Sequence, residues 1–143
     1  MTNNYVLLVE DNPDEVFIAQ RAFRKAQVSH PMIVVSDGQQ ALDYLFCHNP
    51  YDGRTKVEQP SLILLDLKLP YVSGLEVLKQ IRSDDSTKQI PVIVLTCSME
   101  ETDQIESFRL GANDFIRKPT SMSQFIEIIQ QIKTKWLDLS PAN

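Results

Sequence analysis

The chain has 143 residues, a length that fits one domain and is enough to bury a substantial core. Its 14 basic and 19 acidic side chains give a net charge of −5, so it lacks the positive charge with which proteins bind nucleic acid or anionic membrane surfaces. No apolar run reaches the roughly 18 residues that a membrane span requires, and the letters MTNNYVLLVE lack the regions of a signal peptide, so we expect a cytoplasmic protein.

Short apolar runs along the chain predict β-strands. In chain order they cover residues 5–9, 32–35, 62–65 and 92–95, with a weaker fifth run around Phe115 and Ile116. Because these runs are apolar throughout instead of alternating, both faces of the sheet should be covered, as in a parallel sheet between two layers of helices.

Between the predicted strands, apolar residues recur at spacings of three and four, which is typical of helices with one buried face. The predicted buried faces are Val16, Ala19, Phe23 and Ala26; Ala41, Leu42 and Leu45; Leu75, Leu78 and Ile81; Ile105 and Phe108; and Met122, Phe125, Ile126, Ile129, Ile132 and Trp136. The alternation of strands and helices predicts an α/β fold, a doubly wound (βα)5 parallel five-stranded sheet that occupies residues 1–143 as one domain.

A few further residues have simpler interpretations. The long connection at residues 47–59 is polar and is interpreted as an exposed loop. Cys47 and Cys97 lie far apart without a C-x-x-C motif, which favours reduced thiols over a disulfide or a zinc site. Arg82 and Arg117 are interpreted as solvated side chains.

Polar side chains follow four of the predicted strands at the point where each strand ends. The first strand is followed by Glu10 and Asp11, the third by Asp66, the fourth by Thr96 and the fifth by Lys118. In an open parallel sheet, ligands bind beyond the carboxyl ends of the strands. We therefore expect these side chains to meet at one rim of the sheet.

Three carboxylates at one rim repel one another unless a cation lies among them. A cluster of oxygen ligands with room for water and phosphate suits Mg²⁺, and one Mg²⁺ with Lys118 balances the charge of the three acids. An ionised Asp66 can then attack phosphorus and form an aspartyl phosphate. Lys118 and the Thr96 hydroxyl are expected to stabilise the transferring phosphoryl oxygens.

The segments VEDNPDE, LILLDLKLP, VIVLTCS and GANDFIRKP resemble, in this order and spacing, the receiver domains of two-component response regulators. The resemblance covers nearly the whole chain and implies a flavodoxin-like fold. It implies a stand-alone response regulator in a phosphorelay, in which Asp66 accepts a phosphoryl group from a sensor histidine kinase.

The same resemblance implies a set of site residues. Mg²⁺ would be held by Asp11, Asp66 and the backbone carbonyl of Lys68, with Glu10 reaching the ion through water. Thr96 and Lys118 take the places of the family's hydroxyl and phosphate-binding lysine, and the bond between Lys118 and Pro119 is expected to be cis.

A narrower likeness concerns the partner. The segments CHNPYDGRT, DGQQALDYLF, LGANDFIRKP and KTKWLDLSPAN resemble the single-domain regulators that pair with cyanobacterial phytochrome kinases. The implied partner is a phytochrome-type histidine kinase.

The resemblance also implies a switch. Thr96 would move toward the phosphoryl group, Phe115 would fill the vacated space, and the surface of the fourth helix, fifth strand and fifth helix would change. Since no residues remain for an output domain, we expect that surface to be the output and predict a homodimer through it. The prediction rests on Trp136, Leu137 and Leu139, because these are more apolar side chains than the buried face of a single helix needs. Alternatively, Trp136 caps the core.

Several residues leave alternatives open. Lys68 stands where many receivers carry a neutral side chain, so it either changes the lifetime of the aspartyl phosphate, with no predictable sign, or supplies only its carbonyl. Phe115 lacks the hydroxyl of a tyrosine, which leaves the strength of its coupling open. Glu10 and Asp11 could instead cap the helix that follows them.

Three rival functions remain less favoured. A haloacid-dehalogenase-type phosphatase needs an acid where Lys68 stands, so no enzyme is expected. A nucleotide-binding protein needs glycines in the first turn, and VEDNPDE has none. A receiver-shaped scaffold that never takes phosphate would not need the intact acid set. The sequence does not identify the cognate kinase, its stimulus or the downstream target.

Overall fold

The computed structural model describes residues 4–98 and 100–138, in which five parallel strands alternate with five helices. The elements are β1 (Val6–Val9), α1 (Pro13–Lys25), β2 (Met32–Val35), α2 (Gly38–Leu45), β3 (Leu62–Leu65), α3 (Gly74–Ser83), β4 (Val92–Thr96), α4 (Glu101–Arg109), β5 (Asp114–Arg117) and α5 (Met122–Ile132). A π-helical segment, Lys133–Leu137, continues α5. Among the described residues, no helix is long and apolar enough to cross a membrane.

The strands form one sheet in the order β2-β1-β3-β4-β5, and every neighbouring pair is parallel. Helices α2 and α3 pack on one face of this sheet, and helices α1 and α5 pack on the other. Because the three inner strands are covered on both faces, each is buried at every position. This arrangement confirms the predicted doubly wound, flavodoxin-like (βα)5 fold.

Polar side chains define where four of the helices begin. Asn12, Asp37, Ser73 and Ser121 each occupy the N-cap position and accept a hydrogen bond from a backbone N–H in the first turn, at α1, α2, α3 and α5 respectively. Helix α4 is different, because Glu100 at its N-cap makes no side-chain cap hydrogen bond.

The predicted buried face of α4 is wrong. Ile105 and Phe108 are 59% and 46% exposed, and Ser107 is the residue of α4 that is buried. Two apolar residues three positions apart select one face of a helix but do not determine its rotation about its own axis. In the folded chain α4 turns that face toward solvent.

The long loop at residues 47–59 is mostly exposed, as predicted, but Arg54 anchors it to the core. The Arg54 guanidinium lies 3.7 Å from the centre of the Tyr44 ring, a cation–π distance. It donates at 3.0 Å to the Tyr5 hydroxyl and also to the carbonyl oxygens of Tyr44 and Glu58. A cation–π contact and hydrogen bonds thus tie this loop to α2 and to the start of β1.

The interpretation of Arg82 as a solvated side chain is wrong, whereas Arg117 is exposed as predicted. Arg82 is half-buried at the end of α3, and burial lowers the pKa of its guanidinium. It donates to the backbone carbonyls and the side-chain amide that lead into β4 and β5, namely those of Lys88, Ile90, Gly111 and Asn113. A five-donor guanidinium is the side chain that can satisfy so many acceptors at once.

Two local predictions have different outcomes. Cys47 and Cys97 are both free thiols, as predicted. The expected cis bond before Pro119 is wrong: among the described residues, the cis peptide bond is that between Asn49 and Pro50. The bond before Pro119 takes the trans form, which X-Pro bonds ordinarily prefer.

The last described residues pack against the core. Leu137 is buried, and Trp136 is half-buried against the core between the sheet, α1 and α5. Trp136 therefore caps the core, and it no longer supports a homodimer. Leu139, the third residue of that argument, lies outside the described residues.

Candidate functional site

The polar residues of the predicted site are placed by the backbone ladder of the sheet. Glu10, Asp66 and Lys118 each lie one residue beyond a strand and still make an inter-strand hydrogen bond. These bonds join the Glu10 N–H to the Val35 carbonyl (3.0 Å), the Asp66 N–H to the Val9 carbonyl (3.2 Å) and the Lys118 N–H to the Thr96 carbonyl (2.8 Å). The rigid carboxyl ends of β1, β3 and β5 thus aim these side chains at a common cavity, as the sequence predicts.

Lys118 lies at the centre of this cavity. Its Nζ donates to Glu10 Oε1 at 2.6 Å and to Asp66 Oδ2 at 3.1 Å. All three side chains are buried, with 8%, 5% and 8% of their surface exposed for Lys118, Glu10 and Asp66. Two buried carboxylates therefore share one ammonium group.

A third carboxylate completes an acidic cluster. Oxygen atoms of Glu10, Asp11 and Asp66 all lie within 4.8 Å of one another, and of the three side chains only that of Asp11 is exposed. Three carboxylates and one ammonium leave a local charge of about −2, and hard oxygen donors with an open side suit a hard divalent cation. The donor set of this structure therefore fits divalent metal binding.

Burial and charge act in opposite directions at this site. Burial raises the pKa of the Glu10 carboxyl and the negative charge of Asp66 adds to that, while the hydrogen bond and charge of Lys118 lower it; the net shift is upward. Burial also lowers the pKa of the Lys118 ammonium, but the hydrogen bonds and charges of Glu10 and Asp66 outweigh it and raise that pKa above its ordinary value. Lys118 is thus held in its charged form.

The structure contradicts the alternative that Glu10 and Asp11 cap α1. Asn12 is the N-cap of α1 and accepts from the Asp14 N–H at 2.9 Å. Glu10 Oε2 accepts from the Asn12 N–H at 3.2 Å, outside the helix, while its other oxygen binds Lys118. The cap position belongs to Asn12, which leaves both acids to the cavity.

Thr96 and Phe115 lie on the same face of the sheet. Thr96 is the last residue of β4 and is fully buried, and its Oγ1 accepts from the Ser98 N–H at 3.3 Å. Phe115 pairs with Val94 across the ladder and packs, half-buried, against the core on the α2 and α3 side. Since residues 94 and 96 project to the same face, the phenyl ring and the hydroxyl are neighbours on that face.

Lys68 approaches the site with its backbone more closely than with its side chain. Its N–H donates to Asp66 Oδ1 at 3.3 Å. Its ammonium is exposed and lies 3.9 Å from Asp103 Oδ2, at the start of α4.

Gly74 is required behind the site. It is the first residue of α3, and a Cβ built on it would lie 2.2 Å from the backbone oxygen of Asp66. Because that contact is with backbone, it cannot be relieved by a side-chain rotation. A larger residue there would displace Asp66.

Two acids near the site were missed by the sequence analysis. Glu15 Oε1 lies 3.8 Å from Lys118 Nζ, and Asp103 contacts Lys68. Glu15 follows Asp11 by four residues at the start of α1, so the helical period could have placed it near the same rim. No comparable signal identifies Asp103, because its contacts depend on how α4 meets the sheet.

Comparison with known proteins gives a consistent result. The model of the response regulator receiver domain family matches residues 6–130. The response regulator Rcp1 of Synechocystis sp. is 35% identical over 133 residues, which cover 93% of this chain and 88% of Rcp1.

Solved structures show the same likeness. The phosphorylated cyanobacterial phytochrome response regulator RcpA superposes with a TM-score of 0.86 and 38% identity over 96% of both chains. The Mn²⁺-bound form of Rcp1 gives a TM-score of 0.85 and 34% identity over 95% of this chain and 96% of the other. The protein therefore belongs to the response regulator receiver domain family, whose members accept a phosphoryl group from a histidine kinase.

Proposed function

We propose that Asp66 is the phosphoacceptor and that it works with Mg²⁺ held by Asp11, Asp66 and the backbone carbonyl of Lys68, with Glu10 acting through water. The observation that carries the proposal is the buried Asp66 carboxylate at 3.1 Å from Lys118 Nζ, inside a cluster of three acids that fits a divalent cation. Rcp1, a relative over nearly the full chain, has been solved in a Mn²⁺-bound form, which supports a metal at this rim.

The chemistry follows from the positions of the side chains. An Asp66 oxygen attacks the phosphorus of a phosphohistidine, the P–O bond of an acyl phosphate forms, and the P–N bond breaks as the histidine leaves. Lys118 donates to a phosphoryl oxygen, and the Thr96 hydroxyl, at the end of the neighbouring strand, donates to another. When bound, Mg²⁺ neutralises part of the negative charge on the transferring group.

The proposed partner is a cytoplasmic histidine kinase of the phytochrome type. The support is similarity over nearly the full length to Rcp1 and to RcpA, the latter described as a phytochrome response regulator.

The proposed output is the surface of α4, β5 and α5, which changes when Thr96 and Phe115 move and which forms a homodimer. Support comes from the exposed face of α4, where Ile105 and Phe108 lie one helical turn apart and face solvent. This pair replaces Trp136 as the argument for an interface.

The test is phosphorylation by acetyl phosphate with Mg²⁺, followed by intact mass measurement. We expect an acid-stable, base-labile adduct on the wild type and none on Asp66→Asn. Asp43→Asn, which removes a carboxylate on α2 that bonds to Gln39, is the matched control and should label like the wild type. Equal labelling of wild type and Asp66→Asn would contradict the proposal.

A further inference from the structure

A short chain of polar contacts links the rim of the sheet to the first turn of α4. The Ser98 N–H donates to Thr96 Oγ1 at 3.3 Å, and the Ser98 hydroxyl donates to Asp103 Oδ2 at 2.5 Å. The same oxygen of Asp103 lies 3.9 Å from Lys68 Nζ. Asp103 is therefore contacted from the segment after β3, which follows Asp66, and from the segment after β4, which follows Thr96.

These contacts take the place of a helix cap. Glu100, the N-cap residue of α4, makes no side-chain cap bond, and its N–H donates to Ser98 Oγ at 3.3 Å. In the described part of α4 only Ser107 is buried, and its hydroxyl has no hydrogen-bond partner. With so little core packing, the start of α4 depends on Ser98 and Asp103 for its position.

Lys68 is placed to respond to charge on Asp66. Its backbone N–H binds Asp66 Oδ1, so its side chain leaves the main chain directly beside the proposed phosphoacceptor. Its ammonium is exposed, and an ion pair that is open to solvent on one side, such as that with Asp103, is weak. A phosphoryl group adds roughly two negative charges, which is enough to compete with a single carboxylate for this ammonium.

We propose that Asp103 couples the phosphorylation of Asp66 to α4, an inference that rests on the proposed function. In the unphosphorylated protein, Lys68 and Ser98 hold Asp103 and with it the first turn of α4. A phosphoryl group on Asp66 draws the Lys68 ammonium away from Asp103, and the Thr96 hydroxyl leaves the Ser98 N–H to meet the phosphate. Asp103 is a positioning residue in this scheme, because it touches neither the phosphoryl group nor the metal.

The test is a double-mutant cycle on the binding of beryllofluoride, a phosphoryl mimic, with saturating Mg²⁺ in a calorimeter. Asp103→Asn keeps an oxygen for Ser98 but removes the charge that holds Lys68, so the mimic should bind about threefold more tightly, as expected for a partly exposed ion pair. In a Lys68→Gln background the same substitution should leave the affinity unchanged. Glu106→Gln, which breaks an ion pair with Arg109 elsewhere on α4, is the matched control and should have no effect in either background.

Hydrogen exchange of the amides of residues 100–106 gives the second readout. We expect beryllofluoride to speed exchange there in the wild type, and Asp103→Asn to show fast exchange already without the mimic. A cycle in which Asp103→Asn has the same effect in the wild type and in the Lys68→Gln background would overturn the coupling while leaving the phosphoacceptor proposal intact. If the wild type does not bind the mimic at all, both proposals fail.

Discussion

Lys118 is the residue on which the charge of the site depends. Its ammonium pairs with both Glu10 and Asp66, and these two acids belong to the cluster that would hold a divalent metal. The same ammonium would also donate to a phosphoryl group on Asp66. Lys118 should therefore compete with the metal while assisting the phosphoryl group, and the two effects can be separated by substitution.

Lys118→Met should raise the affinity for Mg²⁺ by about tenfold, because it removes a positive charge from the buried acids that face the ion. The same change should lower the rate of labelling by acetyl phosphate by about 100-fold, because the transferring oxygens lose a donor. Calorimetric titration and timed mass measurements check the two numbers. Lys88→Met, which removes an exposed lysine paired with Asp85, is the control, and a weaker affinity for Mg²⁺ in Lys118→Met would contradict the account.

The positions of Glu10, Asp11, Asp66, Thr96 and Lys118 could be predicted because apolar runs ended on polar residues at strand ends. The contacts of Ser98 and Asp103 could not be predicted in the same way. They depend on helix rotation and on distances between loops that the sequence pattern does not specify.

At the scale of the elements, the ends of the sheet have different roles. The carboxyl ends of the strands carry the site. At the amino ends, Arg82 joins α3 to the segments that lead into β4 and β5. Gly111, at φ +105°, faces this guanidinium, and a Cβ there would lie 3.0 Å from the Arg82 side chain. A substitution at the amino ends of the strands should therefore lower the free energy of unfolding without changing phosphorylation at Asp66.

Arg82→Lys should lower the free energy of unfolding by about 2 kcal/mol, because a lysine retains the charge but leaves several backbone acceptors without a donor. Urea unfolding measures the loss. Arg109→Lys, in an exposed pair with Glu106, should cost less than about 1 kcal/mol. Labelling at Asp66 should match the wild type in both variants. A labelling defect in Arg82→Lys would show that the amino ends of the strands influence the phosphorylation site.

Four of the five predicted strands agree with the structure to within a residue at each end, since unbroken apolar runs between turn residues are a strong signal. Helix α4 was predicted as an element but with the wrong buried face. Two apolar residues show that α4 is helical but not which of its faces is buried, whereas the five predicted residues within α5 cover a full stripe. The roles of Arg82 and Arg54 were missed because each depends on carbonyl groups brought together only by folding.

At the scale of the whole molecule, the exposed apolar pair on α4 lies on the surface proposed to change with phosphorylation. The same helix exposes Ile105 and Phe108 and carries two acids, Glu101 and Asp103, in its first turn. A surface of this kind suits a second copy of the chain or another protein more than an anionic partner.

Phe108→Ser should prevent association of the beryllofluoride-bound protein and should lower its stability by only about 1 kcal/mol, because the side chain is already 46% exposed. Sedimentation velocity at micromolar concentration, with and without the mimic, measures the change. Phe17→Ser, at a position on α1 that is 60% exposed, is the control and should associate like the wild type. A wild type that stays monomeric in both states would exclude the homodimer.

The most direct measurement of the central claim is chemical mapping of the phosphorylated residue. Borohydride reduces an acyl phosphate to the alcohol, so the phosphorylated aspartate becomes homoserine and can be located by peptide sequencing in a mass spectrometer. We predict homoserine at position 66 after treatment with acetyl phosphate and Mg²⁺, and unmodified aspartate when Mg²⁺ is removed. Homoserine at another acidic residue, or none in the peptide that spans β3, would contradict the account.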